Sequence, residues 1–573
     1  MNKNIKSIII SENISIRDAM HAINDAVFQG APTGIALVVD NSTKLLGIVT
    51  DGDIRRSLVN NVSIDAPVKS IMTRDPITVT DGLAESEMVE LVVKKVKDRG
   101  STKYARVNHI VVVDKEGVVS DTIHFFELWK SSDLKNKTVC VVGLGFVGLT
   151  LAIILADTGF KVIGCDVMEG MVNDINNGNL PFYEEGLSSL LKFHINKGNF
   201  RAVSSLKKEI HDIYIVSVGT PVDRDHKPDI ENIKKATIQI GKVLKKKDMV
   251  ILRSTVPVGT TRDIILPILE KESNLKGGEA FYLAFAPERT VQGKALEELR
   301  SLPQIIGGLN KRSLDVASNF FSNLNTTIAR MSSLEAAEMV KLVNNAYRDV
   351  TFAFANELAV TCDHWGIDPV NVINAANQGY PRNNIPVPSP GVGGPCLKKD
   401  PYIYIESVND LSFKGGLSLC SRKINDYMSL FVFNKIDLFI KQNKIDQDIK
   451  IFIVGFAFKG EPETSDVRDS TTVDLVKILK NKTDWHICGY DPVVSKDNVS
   501  RLDVAGCSIR EGFKGADCVL IMNNHRSYID MDILGLLELV SRPALFLDAW
   551  SLFPRKEIES VKGVLYGGLG GKD

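Results

Sequence analysis

The chain carries almost no net charge: 69 Lys and Arg stand against 70 Asp and Glu. Without a basic excess it has no electrostatic footprint for nucleic acid or for an anionic membrane surface. The one local basic run, Lys245-Lys246-Lys247, lies between an apolar helical pattern and the next strand, where a solvated helix end is expected. Nowhere do the ~20 continuous apolar residues of a membrane span occur. The N-terminus, MNKNIKSIIISENISI, lacks the apolar region and small-residue cleavage site of a signal peptide, so a cytoplasmic location is expected. The eight cysteines form no CxxC pair and have no His partner at metal-ligand spacing. They read as reduced thiols, most of them small buried hydrophobes, and no metal is expected. What is present is length: at roughly 100–200 residues per domain, 573 residues make about three to five domains.

Residues 1–130 hold a weak internal duplication. The first copy has helical pattern over 15–27, strand patterns over 34–40 and 45–50, and a helix opening at Asp51-Gly52-Asp53. The second has a short apolar run at 77–79, helical pattern over 85–96, and strands over 109–114 and 118–120 around the turn Lys115-Glu116-Gly117. This repeated unit, with the phrase GIVTDGDIRR, resembles a pair of CBS modules. The resemblance implies an α+β module in which Thr50 and Asp53 bind the phosphate and ribose of an adenine nucleotide or related ligand. In the second copy Ile123 of SDTIHF is taken as the counterpart of Asp53, so at most one site is complete. A purely structural or dimerising module is the competing expectation.

A polar linker over 130–137 leads into the buried-strand run TVCVV. Then come Gly143-Leu144-Gly145-Phe146-Val147-Gly148, a helix, a second strand and Asp166. In this context GxGxxG is a strong signal: its glycines allow the tight turn, the approach of a pyrophosphate and close helix packing. The helix N-terminus offers free N–H groups to phosphate. Asp166, about 20 residues on, suits a ribose 2′-hydroxyl and would repel a 2′-phosphate, which favours NAD over NADP. Further strand patterns separated by helices predict a parallel, doubly wound sheet.

A long helix should follow, opened by the capping box Ser332-x-x-Glu335 and closed at Gly366. Its length suits a bridge between domains, and it could also pack on a second subunit. From Lys450 the first pattern returns as IFIVGFAFKG, a helix, a strand and Asp491. Ala457 replaces the second turn glycine, so a nucleotide other than a dinucleotide fits better.

Over residues 137–570 the motifs GLGFVG, LPFYEEGL, VGTPVD, RSTVPVGTT, APER, EMVKLVNNAYRDV, GVGGPCLKKD and GFAFKGEPETSDVRDS resemble the UDP-glucose/GDP-mannose dehydrogenase superfamily. The resemblance implies an α/β fold of two Rossmann-like doubly wound domains joined by a long central helix. It divides the chain into a CBS pair at 1–130, an NAD domain at 137–328, a central helical domain at 329–430 and a nucleotide-sugar domain at 447–573. It implies oxidation of a sugar C6 hydroxymethyl to a carboxylate with two NAD. An aldehyde can lose a second hydride only after becoming tetrahedral. A thiolate that adds to it gives a thiohemiacetal, then a thioester that water hydrolyses. Cys396 in GVGGPC is the implied nucleophile, with Lys399 nearby and Lys341 arriving from the helix; such cations are expected to lower its pKa. Lys341 and Asn345, at i and i+4, share a helix face. By resemblance Lys341 stabilises oxyanions, Asn345 holds sugar or water, Glu288 promotes thioester hydrolysis, and Asp400 and Thr255 hold the water. By the same resemblance Thr220, Thr255 and Arg468 meet NAD, and Gly393, Phe458 and Lys459 meet the substrate.

Arg289 after Pro-Glu, with Arg348 and Arg382, resembles enzymes for UDP-N-acetylhexosamines, whose acetamido or diphosphate oxygens extra donors could serve. Pro395 and Trp550 depart from many such relatives. Alternatives are UDP-glucose or GDP-mannose as substrate, and a simple β-hydroxyacid dehydrogenase. The latter leaves Cys396, Glu288 and the second Rossmann-like unit without a purpose. A nucleotide-sensing protein built on an inactive dehydrogenase would lack Cys396 or Lys341, and both are present. A homodimer or higher homo-oligomer is expected.

Overall fold

A computed structural model describes residues 3–28, 34–83, 87–88, 91–92, 95, 109–124, 137–206, 211–324, 327–408, 412–413, 415–446 and 448–571. The chain forms two compact units, Met1–Lys137 and Thr138–Asp573.

The first unit is built on two three-stranded sheets of one topology. Ile9–Ser11 pairs parallel with Ile35–Val39, which pairs antiparallel with Leu45–Thr50. Thr78–Thr80, His109–Val113 and Val119–His124 repeat those directions, and both hairpins shift register at the same place. Residues of both copies, among them Leu37, Val39, Val111 and Val119, share one core cluster, so neither copy buries its apolar face alone. The second hairpin strand runs to His124 rather than stopping at 120, and this corrects an equivalence. Ile35 pairs with Thr50 as His109 pairs with His124, so Ile123 corresponds to Val49. His124 stands in the place of Thr50, and the counterpart of Asp53 is Glu127, outside the described residues. Register in a hairpin is set by pairing, which a short alternating run does not reveal by itself. Most of the helix expected over 85–96, and the linker at 130–136, also lie outside the described residues.

The second unit contains two large sheets. In the first, the strand order is Ile328–Arg330, Gln304–Gly308, Tyr282–Phe285, Met249–Leu252, Ile213–Val216, Thr138–Val142, Lys161–Cys165, Phe200–Val203. Its central strands Ile213–Val216 and Met249–Leu252 are buried at every position, as befits a sheet covered by helices on both faces. Two strands depart from the expected parallel order: Gln304–Gly308 runs antiparallel to Tyr282–Phe285, and the edge strand Ile328–Arg330 pairs parallel with Gln304–Gly308 and so shares its direction. The intervening chain spends its first half on a loop at the strand ends. The seven-residue helix Ala295–Ser301 then spans only about 10 Å, too little to carry the chain back for parallel entry.

The helix Leu334–Trp365 has 32 residues and so spans about 48 Å. Its N-cap is Ser333, which accepts from the Ala336 N–H, not Ser332; the Glu335 carboxylate is held instead by Arg262 at 2.6 Å. It ends on Gly366 in the left-handed region. Gly307 lets it lie close on the first sheet, since a Cβ there would meet Ser333 O at 2.3 Å. On its other side it packs against the helix Gly416–Gln442, which runs past the expected boundary at 430 and joins the second sheet's core through Met428 and Val432. That second sheet is all parallel: Ala505–Gly506, His486–Tyr490, Lys450–Val454, Cys518–Ile521, Ala544–Asp548, Val564–Gly567. The fold is α/β, with two Rossmann-like doubly wound sheets and a long bridging helix. Among the described residues no helix is long and apolar enough to cross a membrane.

Candidate functional site

The three turn glycines have separate tasks. Gly143 has φ 93°, and a Cβ there would meet Ser217 O at 2.7 Å. At Gly148 a Cβ would meet Gly143 O at 1.8 Å, so only glycine lets helix and turn pack. At Gly145 a Cβ would meet nothing within 4 Å, which leaves room for a pyrophosphate. The helix Phe146–Asp157 starts here, and no side chain among the described residues caps its first N–H groups, which a helix cannot satisfy internally. Asp166 follows its strand and spends one oxygen on Leu144 N–H at 2.8 Å and the other on Met168 N–H. The Thr220 hydroxyl is buried beyond the end of a neighbouring strand with no hydrogen-bond partner among the described residues. An open cradle, an uncapped helix end, a strand-end acid and an orphaned hydroxyl together fit a dinucleotide. Thr255 lies half-buried in the loop after Met249–Leu252.

Cys396 is accessible to solvent, although protein crowds it on the remaining sides. It follows a loop whose glycines serve protein contacts. A Cβ on Gly393 would meet Asp469 O at 2.6 Å, and one on Gly394 would meet the Phe458 ring at 2.5 Å. At Gly393 it is backbone from the second sheet's domain that comes in against the loop. The thiol pKa is raised, not lowered. Burial pushes it up and Asp400 adds to this, while Lys341, Lys399 and Arg468 only pull it back in part. The physical reason is that two of these cations are already committed. Lys399 binds Asp400 at 2.6 Å, and Arg468 binds Asp466. Lys341, half-buried on the long helix, has no ion-pair partner among the described residues. Of these three cations it is the one not committed to an ion pair.

One turn along, Asn345 donates to Asp400 at 2.6 Å, and both are buried. Glu288 is buried too. Burial works against its charge, yet Arg253, the Thr290 N–H and Lys341 together hold its carboxyl below the ordinary range. Cys396, Lys341, Asn345, Asp400, Glu288 and Arg468 thus form one electrostatically connected group. Arg348 and Lys459 also come together. Burial and the neighbouring Arg348 bring the Lys459 pKa down to about 8, and its ammonium lies over the Phe458 ring. Arg289 and Arg382 are directed elsewhere. The Arg289 guanidinium bonds Pro303 O, and exposed Arg382 stacks on Tyr380 at 4.3 Å.

Sequence reasoning missed three buried residues that hold this site. Arg253 binds Glu288 at 2.5 Å. Glu184, in LPFYEEGL, accepts from Gly293 and Ala295 N–H at 2.7 Å and anchors the loop bearing Glu288. Arg422 binds Asp349 at 2.6 Å with both side chains fully buried, and ties down the carbonyls of Val392 and Leu397 around the cysteine loop. A charged residue directly after an all-apolar strand was the available signal for Arg253. Among the other thiols, Cys140, Cys165, Cys362, Cys488 and Cys518 are buried, as expected of most, while Cys420 is exposed and Cys507 half-buried. In the first unit Thr50 and Asp53 form a capping box for the helix Asp51–Val59, and Asp53 also binds Arg56 at 2.6 Å. Among the described residues no group of three or more His, Cys, Asp or Glu is placed to hold a metal ion.

Family models match in chain order. A CBS domain covers residues 1–60. The UDP-glucose/GDP-mannose dehydrogenase family NAD-binding domain covers 137–325, its central domain 335–427 and its UDP-binding domain 452–555. The chain is 34% identical to UDP-N-acetyl-D-mannosamine dehydrogenase of Methanococcus maripaludis, over 69% of this chain and 88% of that one. It is also 34% identical to the enzyme of that name from Campylobacter jejuni, over 69% and 97%. Among solved structures, UDP-D-ManNAc dehydrogenase of Pyrococcus horikoshii superposes with a TM-score of 0.68 at 28% identity, covering 76% of this chain and 99% of its own. NDP-N-acetyl-D-galactosaminuronic acid dehydrogenase of Methanosarcina mazei does so with a TM-score of 0.64 at 27% identity, covering 76% and 95%. The chain belongs to the UDP-glucose/GDP-mannose dehydrogenase family and is an NAD-dependent nucleotide-sugar dehydrogenase with a CBS domain at its N-terminus.

Proposed function

We propose that this dehydrogenase oxidises the C6 hydroxymethyl of a UDP-N-acetylhexosamine, UDP-N-acetylmannosamine first, to the uronate in two hydride transfers, with Cys396 carrying the sugar between them. The observation that carries the reading is an accessible thiol beside a lysine with no ion-pair partner among the described residues, within a group that also holds Asn345, Asp400 and Glu288. The names borne by similar proteins support the sugar.

When bound, NAD accepts one hydride at each oxidation. In the first, Lys341 stabilises the alkoxide oxygen as the hydroxyl loses its proton, leaving an aldehyde. The Cys396 sulfur then adds to the carbonyl carbon. Lys341 steadies the resulting oxyanion, and loss of the second hydride leaves a thioester. Water adds to that thioester, the carbon–sulfur bond breaks, and the carboxylate leaves with the thiol restored. Asn345, Asp400, Thr255 and Glu288 hold and polarise that water. Lys459, Phe458 and Arg348 receive the nucleotide diphosphate.

The test is NADH yield per sugar across UDP-N-acetylmannosamine, UDP-N-acetylglucosamine, UDP-N-acetylgalactosamine, UDP-glucose and GDP-mannose. Two NADH from the mannosamine compound at the highest kcat/KM is expected, and preference for UDP-glucose or GDP-mannose would refute the sugar assignment. Cys396→Ser should stall the four-electron oxidation, with a loss on the order of 10³-fold or more; an unchanged yield would refute the covalent route. The CBS module is proposed to bind an adenine nucleotide near Thr50 and Asp53 and to tune activity. Titrating ATP and AMP into steady-state assays tests this, and no response in the full-length enzyme sinks it. The exposed stripe Val343, Tyr347 and Phe354 on the long helix supports self-association, which sedimentation of the purified chain measures.

A further inference from the structure

We propose that Arg253 is a positioning residue for the hydrolytic half of the reaction, aiming the Glu288 carboxylate at the water that attacks the Cys396 thioester. This role rests on the function proposed above. Arg253 follows the strand Met249–Leu252 and Glu288 follows Tyr282–Phe285, two neighbours paired in parallel, so both residues leave the sheet at the same edge. The Arg253 side chain is completely buried. Its guanidinium donates to Glu288 Oε2 at 2.5 Å, to Ala286 O at 3.0 Å and to Gln304 Oε1 at 3.3 Å. Its central carbon lies over the Phe321 ring, 5.5 Å from the centroid. Gln304 in turn donates to Pro287 O at 3.3 Å. The fork thus grips the turn that presents Glu288 and the carboxylate itself.

The remaining bonds of that carboxylate are already assigned. Oε1 accepts from the N–H groups of Arg289 and Thr290, at 2.7 and 2.8 Å. An ionised carboxylate offers about four lone-pair positions. Oε1 uses two and the guanidinium takes one on Oε2, so one position on Oε2 remains. Arg253 decides where that last acceptor points. The charged side chains that face Glu288 are Arg253 from the neighbouring strand end and Lys341 from the long helix; Arg289 contributes its backbone while its guanidinium bonds Pro303 O. A buried arginine is costly to desolvate, and an apolar pair of similar volume often packs as stably. Its presence here is explained by the orientation it imposes.

The test uses the full-length enzyme with Arg253→Gln and Arg253→Lys, read in single turnovers with UDP-N-acetylmannosamine. Formation of the first NADH should be retained. Release of the uronate should slow about 100-fold in Arg253→Gln, the cost of a small misplacement of a catalytic group. A covalent sugar adduct on Cys396 should then accumulate and appear in the intact mass. The acid limb of the hydrolysis rate should move to higher pH in Arg253→Gln, because loss of the guanidinium raises the Glu288 carboxyl. Arg253→Lys keeps the charge but not the fork, and should slow hydrolysis less while leaving the acid limb nearer its wild-type place. A folded Arg253→Gln enzyme without adduct, or one in which both oxidation and hydrolysis fall by the same factor, overturns the role. If Arg253→Gln does not fold, Arg253→Lys decides: an unchanged ratio of oxidation to hydrolysis overturns it. A wild-type yield of one NADH per sugar overturns the functional reading and this role with it, whereas two NADH with unchanged variants overturns only the role.

Discussion

In the first large sheet the helix begins directly after the glycine turn, at Phe146; in the second the strand ends at Val454 and the helix waits until Thr471. The two acids that close these units differ as sharply. Asp166 is half-buried and bonds two backbone N–H groups. Asp491 is buried and gathers the N–H groups of Phe456, Ala457, Val493 and Val494 together with the Asn523 amide. The first unit keeps an uncapped helix end over open space beside Gly145. In the second, Ser470 caps the helix, and the long loop before it is free to cross to the cysteine loop with Phe458, Lys459 and Arg468. One supersecondary plan has therefore yielded a cofactor cradle in one place and a pocket wall in the other. The difference lies in whether its polar groups are left for a ligand or spent inside the protein.

The sharpest way to break this comparison is to exchange the fates of the two acids. Asp491→Ala should leave several buried donors unpaired at about 1–3 kcal/mol each, and so destabilise the chain by at least about 3 kcal/mol in denaturant unfolding. Asp166→Ala should cost about 1 kcal/mol while weakening the preference for NAD over NADP in steady-state assays. Equal destabilisation by both would erase the distinction. A smaller effect is expected at the turn. Gly145→Ala should leave the melting temperature unchanged, since the added methyl meets no protein atom, and raise the KM for NAD about tenfold by obstructing the pyrophosphate. The smallest effect concerns the wall. Lys459 is charged below its pKa of about 8 and loses that charge as pH rises through it, so attraction for the sugar-nucleotide diphosphate should fade in the same window. Between pH 7 and 8.5 the KM for the nucleotide sugar should rise roughly fourfold, the change in the charged fraction of such a group. Lys459→Arg should flatten that rise.

The signals readable in the sequence were local ones. The glycine turn, its acid and the Ala457 replacement are each set by steric demands within a few residues, and their periodic context identified the strands and helices around them. Cys396 was singled out by the family resemblance and by the glycines and lysines around it. Those glycines also admit Asp469 and Phe458, which are remote in the chain and leave no mark in the local pattern. The thiol pKa was expected to fall because Lys399 lies nearby in sequence, but that ammonium binds Asp400. In the N-terminal unit the strand register, not the motif, decided that His124 stands in the place of Thr50.

By itself the sequence determined that the chain has two Rossmann-like units and a bridging helix, that the first unit suits NAD, and that a cysteine with a helix lysine stands between them. Hydrophobic period and glycine sterics act over one or two turns of chain, so they can be read in one dimension. Only the tertiary structure decided which charges are spent and which remain available. It buried Arg253 against Glu288 and Arg422 against Asp349, and it left Lys341 without an ion-pair partner among the described residues. Those outcomes depend on which strand ends and helix faces meet, and pairings across tens of residues are settled by packing.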